Sequence, residues 1–306
     1  MIPFYWPTYT IVIDDDTVIL DLLKAIIIPK QNKLLFFTSA EEALRTISEL
    51  APVDLSSSIA GYSESDFTTQ ECKIDLKKSF DLSANQSKYN LISTIICDYD
   101  MPYMSGIDFF KECSTKCNAR KILLTGRLDP KEAIELKGNV INDYLEKDYK
   151  ECFPTKLNKK LDDQIKSYFR NFSRPLRSMI DNSTDLSLLK HPLVAEYFKE
   201  TCQKNDIIEY YLIDYTGTYY LVNNKNENFI FFIQSLEQLD TAIAEYDDIE
   251  HKTILIDKLN NKELQVAKLE NMSIVYPNYK ELEKYLHPID TVIDNKYYVS
   301  LIKVDQ

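Results

Sequence analysis

The sequence predicts an α/β domain built on a doubly wound, five-stranded parallel sheet, followed by a small α+β domain with antiparallel hairpins. Apolar runs of strand length alternate with amphipathic helical patterns through the first half of the chain, which is typical of a parallel sheet covered by helices. Two of these runs end in acidic residues, Asp14 and Asp98. From about Leu188 onward, strand-like runs flank polar turns instead, as they do in antiparallel hairpins.

The parallel sheet is predicted from five strand-like runs within residues 8–170. Residues 91–97 have the composition of a strand buried on both faces. Strands that alternate with helices return in the same direction, so the order along the chain requires a parallel sheet. The runs are residues 9–13, 34–37, 91–97, 121–124 and 140–146, and the helical patterns include residues 18–28, 40–50 and 155–172.

A long insertion, residues 51–90, separates the second predicted helix from the third strand. Its first part, up to residue 69, is polar, whereas residues 72–82 carry apolar side chains at helical spacing. Two interpretations stay open. The insertion is either a solvated surface loop, which a fold tolerates at small cost, or an element that docks a partner.

The second domain is predicted to span residues 188–306, after a linker of residues 171–187 that contains Pro175 and several Ser and Asn residues. Its first hairpin joins residues 209–213 to residues 219–222. Ser235 and Gln238 have the spacing of a capping box, which predicts a helix start. A third strand at residues 229–234 and a final hairpin of residues 291–293 with 297–304 complete the pattern.

Composition excludes several functional classes. The formal net charge is −12 and the sequence pI is about 4.9, which argues against a nucleic-acid partner because phosphate backbones attract clustered Lys and Arg. The six cysteines are scattered without a paired framework, as expected in a reducing cytoplasm. Residues 1–7 lack the features of a signal peptide, and no apolar stretch is long enough to span a membrane.

Acidic residues follow two of the predicted strands. Asp14 and Asp15 follow the first strand, and Asp98 follows the third. Because the carboxyl ends of parallel strands meet at one edge of the sheet, we expect the three carboxylates to lie together. They cannot all stay ionised without a compensating charge. Mg²⁺, which prefers oxygen ligands and retains water, is the natural cation for such a site.

With these residues, the chain resembles the receiver domain of two-component response regulators over residues 8 to about 170. The acidic pair Asp14-Asp15 comes first, and Asp98 is followed by x-x-Met-Pro-x-Met-x-Gly. Thr125 ends the fourth strand and Lys147 ends the fifth. The resemblance implies a flavodoxin-like fold with Asp98 as phosphoacceptor and Lys147 balancing charge in phosphoryl transfer.

The resemblance also implies a metal site and a switch. Asp15 would bind Mg²⁺ directly, together with Asp98 and the backbone carbonyl of Asp100, and Asp14 would act through water. Thr125 would move toward the phosphoryl group, and the ring of Tyr144 would turn inward to fill the space that it leaves.

Three further positions would tune this site. The small Gly126 would keep the path to Asp98 open. Asp100 and Arg127 flank the path of the hydrolytic water in the family, and we predict that they pair across it and set the lifetime of the phosphorylated state.

One position departs from the family pattern. The family usually places a proline in a cis peptide after the lysine, whereas Asp148 follows Lys147 here. A cis bond without proline costs about 3 kcal/mol, so a trans peptide is expected. Such a change would shift Lys147 slightly. It would affect the efficiency of phosphorylation but not which residue is phosphorylated.

The leading hypothesis is a cytoplasmic response regulator, a signalling protein and not an enzyme, whose output domain does not bind DNA. A sensor histidine kinase or a phosphotransfer protein would be its partner, and a homodimer is possible. The alternative is an interaction adaptor whose second domain is a ligand- or partner-binding module of the PAS type. A third hypothesis, catalysis by the second domain, has no motif in its favour.

Overall fold

The structure is a computed structural model of the 306-residue chain. It describes residues 1–50, 82–126, 135–174, 176, 185–214, 216–244, 246, 254–270, 273–275 and 277–304. Within these residues the chain forms two larger sheets, one of five strands and one of six.

The five-stranded sheet, called the parallel sheet below, follows the predicted chain order. Its strands are β2 (Tyr9–Ile13), β3 (Lys33–Phe37), β4 (Ile92–Asp98), β5 (Arg120–Thr125) and β6 (Asp143–Glu146), and a short strand β1 (Phe4–Tyr5) precedes them. They pair in the order β3-β2-β4-β5-β6, each neighbour parallel to the next. Every residue of β4 is buried, as its continuous apolar composition predicts.

Among the described residues, four helices of eight residues or more cover the two faces of the parallel sheet. They are α1 (Thr17–Ile26), α2 (Ala40–Leu50), α3 (Gly106–Cys113) and α4 (Phe153–Phe172). Apolar residues of α1 and α4 share one core cluster, whereas those of α2 and α3 belong to a second cluster. Helices therefore lie on both faces, which confirms the doubly wound α/β prediction.

The six-stranded sheet, called the antiparallel sheet below, confirms the predicted hairpins. Its later strands are β7 (Ile207–Leu212), β8 (Tyr219–Asn223), β9 (Asn228–Ser235), β14 (Thr291–Ile293) and β15 (Tyr297–Val304). The pairing order is β1-β7-β8-β9-β15-β14. Helix α5 (Pro192–Lys204) precedes β7, and α6 (Leu236–Ala244) follows β9.

Smaller elements complete the second half of the chain. The capping box is present, since Ser235 Oγ accepts from the Gln238 N–H at 3.2 Å and Gln238 Oε1 accepts from the Ser235 N–H at 2.8 Å. Other elements among the described residues are α7 (Ile254–Asn260), β10 (Leu264–Val266), β11 (Lys268–Glu270), β12 (Ser273–Val275), β13 (Leu286–Pro288) and two 3₁₀ helices, Asp185–Lys190 and Tyr279–Tyr285.

Strand β1 is a feature that the sequence analysis missed. It joins the antiparallel sheet, where Phe4 pairs with Tyr211 and Tyr5 with Tyr210, although β2 of the parallel sheet follows only a few residues later. The adjoining Trp6 is fully buried. One core cluster runs from the α1 and α4 face of the parallel sheet into the antiparallel sheet, so the two sheets share a core.

Two predicted segments, the insertion and the linker, lie largely outside the residues that the structure describes. Of the insertion, residues 51–81 lie outside the described residues, and so does nearly all of the predicted helix at residues 72–82. The last part of the insertion forms a 3₁₀ helix, Gln86–Asn90. Helix α4 continues to Phe172, into the first residues of the predicted linker. No helix in the described residues is long and apolar enough to cross a membrane.

Candidate functional site

The predicted site residues meet at the carboxyl edge of the parallel sheet. Asp14 and Asp15 follow β2, Asp98 ends β4, Thr125 ends β5 and Lys147 follows β6. The carboxylates of Asp14, Asp15 and Asp98 offer oxygens that all lie within 4.8 Å of one another. The strand topology therefore brings the adjacent residues Asp14 and Asp15 together with the distant Asp98 in one acidic cluster.

The carboxylates of this cluster differ in exposure. Asp14 and Asp98 are buried, at 1% and 7% exposure, whereas Asp15 is exposed. Burial raises the pKa of Asp14, although a hydrogen bond from Lys147 partly offsets this effect. The cluster thus contains two desolvated carboxylates with one accessible carboxylate beside them.

Lys147 bridges the two buried carboxylates. Its Nζ lies 2.7 Å from Asp14 Oδ2 and 2.8 Å from Asp98 Oδ1. Burial alone would lower the pKa of Lys147, but its hydrogen bonds to Asp14 and Asp98 outweigh burial and raise it. The ammonium therefore remains charged and supplies part of the positive charge that the acidic cluster needs.

The peptide after Lys147 is trans, as expected for a lysine followed by Asp148. The Lys147 N–H donates to the Thr125 carbonyl at 2.8 Å, which continues the pairing of β6 with β5. The ammonium consequently reaches both Asp14 and Asp98 without a cis bond at this position.

Backbone contacts hold Asp98 in place. Its Oδ1 accepts from the Tyr99 N–H at 2.8 Å in addition to Lys147. Its Oδ2 has no hydrogen-bond partner among the described residues. That oxygen is the one available to bind a cation or to attack an electrophile.

Gly106, the glycine that ends the x-x-Met-Pro-x-Met-x-Gly motif after Asp98, has a steric role that the sequence did not reveal. A Cβ at this position would lie 2.1 Å from the Asp98 carbonyl oxygen, well inside van der Waals contact. The Gly106 N–H donates to the Tyr99 carbonyl at 2.9 Å. The start of α3 therefore packs directly against the end of β4, and only glycine fits there.

Asp16 is a second residue whose role was missed, although the acidic run and the N-cap preference for Asp could have revealed it. Its Oδ1 accepts from the Val18 N–H at 2.8 Å and caps α1. Its own N–H donates to Asp14 Oδ1 at 3.2 Å. Asp16 thus fixes the turn that presents Asp14 and Asp15.

The predicted switch residues lie next to the acidic cluster. Thr125 is buried, and Tyr144 is half-buried against the core cluster of α2 and α3. Tyr144 pairs with Leu123 in β5, two residues before Thr125. A Cβ at Gly126 would meet no atom within 4 Å, so the space at this position is open. Asp100 is exposed, and Arg127 lies outside the described residues, as does the proposed pairing between them.

The residues present fit a Mg²⁺ ion. All three side chains of the cluster offer carboxylate oxygens, which are hard ligands, and the exposure of Asp15 leaves room for the waters that Mg²⁺ retains. The buried carboxylates also need more positive charge than one lysine supplies. Asp15, Asp98 and the carbonyl of Asp100 are the groups that would hold the ion.

Five parallel strands in the order β3-β2-β4-β5-β6, with helices on both faces, define the flavodoxin-like fold of response regulator receiver domains. A comparison with solved structures supports this fold assignment. The response regulator LqsR of Legionella pneumophila matches with a TM-score of 0.73 at 22% identity, covering 100% of this chain and 90% of that chain. At this identity the likeness shows the fold, and here it extends through both sheets.

Other solved structures match about half of the chain. A receiver domain from Methanospirillum hungatei covers 54% of this chain and 98% of that chain, at 17% identity and a TM-score of 0.36. One from Clostridium thermocellum covers 52% of this chain and 94% of that chain, at 22% identity and a TM-score of 0.34. No family model matches the sequence, and no curated protein does.

Proposed function

We propose that this chain is a two-component response regulator that accepts a phosphoryl group on Asp98 in a Mg²⁺-dependent reaction. The observation that carries this proposal is the bridge from Lys147 to Asp14 and Asp98, at 2.7 and 2.8 Å, inside a cluster of three carboxylates at the carboxyl edge of a receiver fold. A nucleophilic carboxylate, an acidic cation site and a fixed ammonium are the groups that phosphoryl transfer requires.

In the proposed reaction, Asp98 Oδ2 attacks the phosphorus of a phosphoryl donor while the bond from phosphorus to the donor breaks. A carboxylate nucleophile has no proton to lose on attack, so the step needs no general base. Bound Mg²⁺ would supply charge neutralisation on the phosphoryl oxygens. Lys147 would exchange its contact with Asp98 Oδ1 for one with a phosphoryl oxygen, and the backbone N–H of Tyr99 would keep the carboxylate oriented.

Thr125 and Tyr144 would read out the phosphorylated state. The phosphoryl group adds negative charge and acceptor oxygens at the end of β4, next to the end of β5 where Thr125 lies. The hydroxyl of Thr125 would donate to a phosphoryl oxygen, and Tyr144, which is only half-buried, would turn inward. Gly126 would leave the approach to Asp98 open, and Asp100 with Arg127 would set the lifetime.

The partner would be a sensor histidine kinase or a phosphotransfer protein, and we place the protein in the cytoplasm. The net charge of −12 supports an output that does not bind DNA. The second domain would carry that output, through ligand or partner binding and not through an enzymatic reaction of its own.

The adaptor hypothesis remains the second candidate because of the core that the two sheets share. A shared core favours a fixed arrangement of the two domains. In that case the chain would act as a constitutive assembly, and phosphorylation would only tune it. Light scattering with and without a beryllium fluoride phosphate mimic distinguishes the two, since unchanged mass and unchanged partner binding favour the adaptor.

Phosphorylation can be tested with radiolabelled acetyl phosphate and Mg²⁺. The full chain should be labelled, Asp98→Asn and Asp98→Ala should abolish labelling, and Asp15→Asn should raise the Mg²⁺ concentration that is required. Asp21→Asn serves as the matched control because Asp21 lies on α1 with its side chain 74% exposed. Labelling that persists in Asp98→Ala would refute the assignment.

A further inference from the structure

A pair of thiols lies at the amino-terminal edge of the parallel sheet, the edge opposite to Asp98. Cys113 ends α3, Cys117 follows four residues later, and their Sγ atoms are 3.5 Å apart. The Cys117 N–H donates to the Cys113 carbonyl at 3.1 Å, which closes one helical turn between them. Two Cα atoms separated by one such turn, about 5.4 Å along the axis, are within the range that a disulfide spans.

Cys117 lines a polar cavity of about 170 Å³. The cavity is bounded by the turn after α3, the start of β5 and the loop before β6, and its walls include Asn118, Lys121 and Asn142. A water molecule occupies about 30 Å³ in the liquid, so the cavity admits a molecule of the size of hydrogen peroxide. Cys117 is half-buried at this cavity, whereas Cys113 is buried behind it.

Lys121 supplies positive charge beside the thiols. It is a buried residue that also lines the cavity, and its Nζ donates to the Ser114 hydroxyl. No carboxylate pairs with Lys121 among the described residues. A buried cation is costly without an anion nearby, and the thiolate of Cys117 is the group that can meet this need.

The two thiols have different acidities. A hydrogen bond from Cys113 lowers the pKa of Cys117, and the backbone N–H of Ala119 and the charge of Lys121 lower it further, against the opposing effect of burial. The same hydrogen bond raises the pKa of Cys113, and burial adds to the increase. Cys117 is therefore the nucleophilic sulfur, because the thiolate is the reactive form, and Cys113 holds a proton.

We propose that Cys117 and Cys113 form an oxidation site, in which a hydroperoxide oxidises Cys117 and Cys113 then closes an intramolecular disulfide. The Cys117 thiolate attacks one peroxide oxygen, the O–O bond breaks, and the departing hydroxide takes a proton to become water, leaving a sulfenic acid. Cys113 attacks that sulfur, the S–O bond breaks, and the hydroxide leaves as water with the Cys113 proton. Two thiols lose two electrons, and the peroxide gains them.

Mass spectrometry of the full chain after exposure to hydrogen peroxide tests this proposal. Trypsin cleaves after Lys111, Lys116 and Arg120, so the disulfide would join the peptides of residues 112–116 and 117–120 into one cross-linked species that a reductant separates. Cys113→Ser should remove the cross-link and leave a sulfenic acid on Cys117 that dimedone traps. Cys117→Ser should leave Cys113 unmodified.

Two comparisons make the test specific to Cys117. Its peroxide reaction at pH 6 should be faster than that of Cys152, an exposed cysteine that acts as the internal control. Lys121→Gln should slow the Cys117 reaction roughly tenfold, which corresponds to about one pKa unit. If that variant does not fold, the pH dependence of Cys117 alkylation in the native chain replaces it, with a midpoint expected below the value of about 8.5 for a free thiol.

Cys117 reacting no faster than Cys152, or disulfides forming only between chains, would overturn the proposal. The outcome is independent of the phosphoacceptor site. Cys113→Ser and Cys117→Ser should keep phosphoryl labelling at Asp98, and Asp98→Asn should keep the cross-link.

Discussion

The ammonium of Lys88 is fully buried 3.2 Å from the carboxylate of Glu209, and this ion pair joins the two sheets. Lys88 lies just before β4 of the parallel sheet, and Glu209 lies in β7 of the antiparallel sheet. The hydroxyls of Tyr89 and Tyr211 both donate to the same carboxylate. Nζ of Lys88 also lies 4.6 and 5.2 Å from the centres of these two rings, so the pair is enclosed by aromatic groups.

Replacing Lys88 should strongly destabilise the chain. Lys88→Met leaves the carboxylate of Glu209 buried without its cation, and breaking a buried pair in this way costs about 3–5 kcal/mol. The double variant Lys88→Met with Glu209→Gln should recover part of this loss because no unpaired charge remains. Urea unfolding measures both effects.

The exposed pair Lys24–Asp21 provides the control for that experiment. Its side chains are 49% and 74% exposed, so Lys24→Met should change the free energy of unfolding by less than about 1 kcal/mol. A similarly small change for Lys88→Met would show that the Lys88–Glu209 pair does not stabilise the junction between the sheets.

Trp6 should report the unfolding of both sheets at once. Its ring centre lies 4.9 Å from Phe169 of α4 and 6.0 Å from Tyr211 of β7, and its indole N–H donates to the Lys88 carbonyl at 3.1 Å. It is the single tryptophan of the chain. Because the sheets share one core, tryptophan fluorescence and far-ultraviolet circular dichroism should give coincident denaturation curves. Two separated transitions would mean that the sheets unfold independently.

Gly106→Ala should damage the phosphoacceptor site, whereas Gly126→Ala should leave the fold intact. The new methyl at residue 106 would press on the carbonyl of Asp98, 2.1 Å away, and overpacking of this kind costs about 1–3 kcal/mol. At residue 126 no atom lies within 4 Å, so the stability should change by about 0.5 kcal/mol or less. Thermal unfolding and labelling with acetyl phosphate measure the outcome. Equal stability of the two variants would contradict the close packing of α3 against β4.

Asp143→Asn should destabilise the chain at pH 7 and less so at pH 3. Burial of Asp143 would by itself raise its pKa. Hydrogen bonds from Lys160 and from the Tyr144 N–H outweigh burial, so the pKa of Asp143 is lowered. The Nζ of Lys160, on α4, lies 2.7 Å from the Asp143 carboxylate. A carboxyl whose pKa is lower in the folded state stabilises the fold above the unfolded value, near 3.9, and that contribution is lost as the pH falls through the folded value.

The expected loss for Asp143→Asn at pH 7 is about 1.5 kcal/mol, the lower end of the range for a hydrogen bond to a charged group, because Lys160 is partly exposed. Melting temperatures of the variant and of the unaltered chain should converge on acidification. Asp21→Asn, which alters an exposed carboxyl, controls for the change in net charge. A destabilisation by Asp143→Asn that is equal at both pH values would rule out the electrostatic explanation.

The acidic cluster could be predicted from the sequence because each of its residues follows an apolar run, and parallel strands bring their carboxyl ends together. Asp14 and Asp98 needed no information beyond this pattern. The hairpins were predictable for a similar reason, since their turns and alternating strands are local in sequence. The capping box of Ser235 and Gln238 was confirmed on the same local basis.

The junction between the sheets could not be predicted. Strand β1 has two residues, too few for any periodicity, and its partner β7 lies far along the chain. From the sequence alone, Lys88 is expected at the surface because lysine is rarely buried. Its burial depends on Glu209 and Tyr211, which only the tertiary fold brings close. The cavity beside Cys117 likewise depends on the packing of distant segments.

The pairing of Phe4 with Tyr211 also imposes an order on folding during synthesis. The first strand of the antiparallel sheet leaves the ribosome before any residue of the parallel sheet, but its partner strand is made only after the parallel sheet is complete. The parallel sheet can therefore fold while β1 is still unpaired and open to wrong contacts. The native arrangement is completed late, when β7 emerges and captures the beginning of the chain.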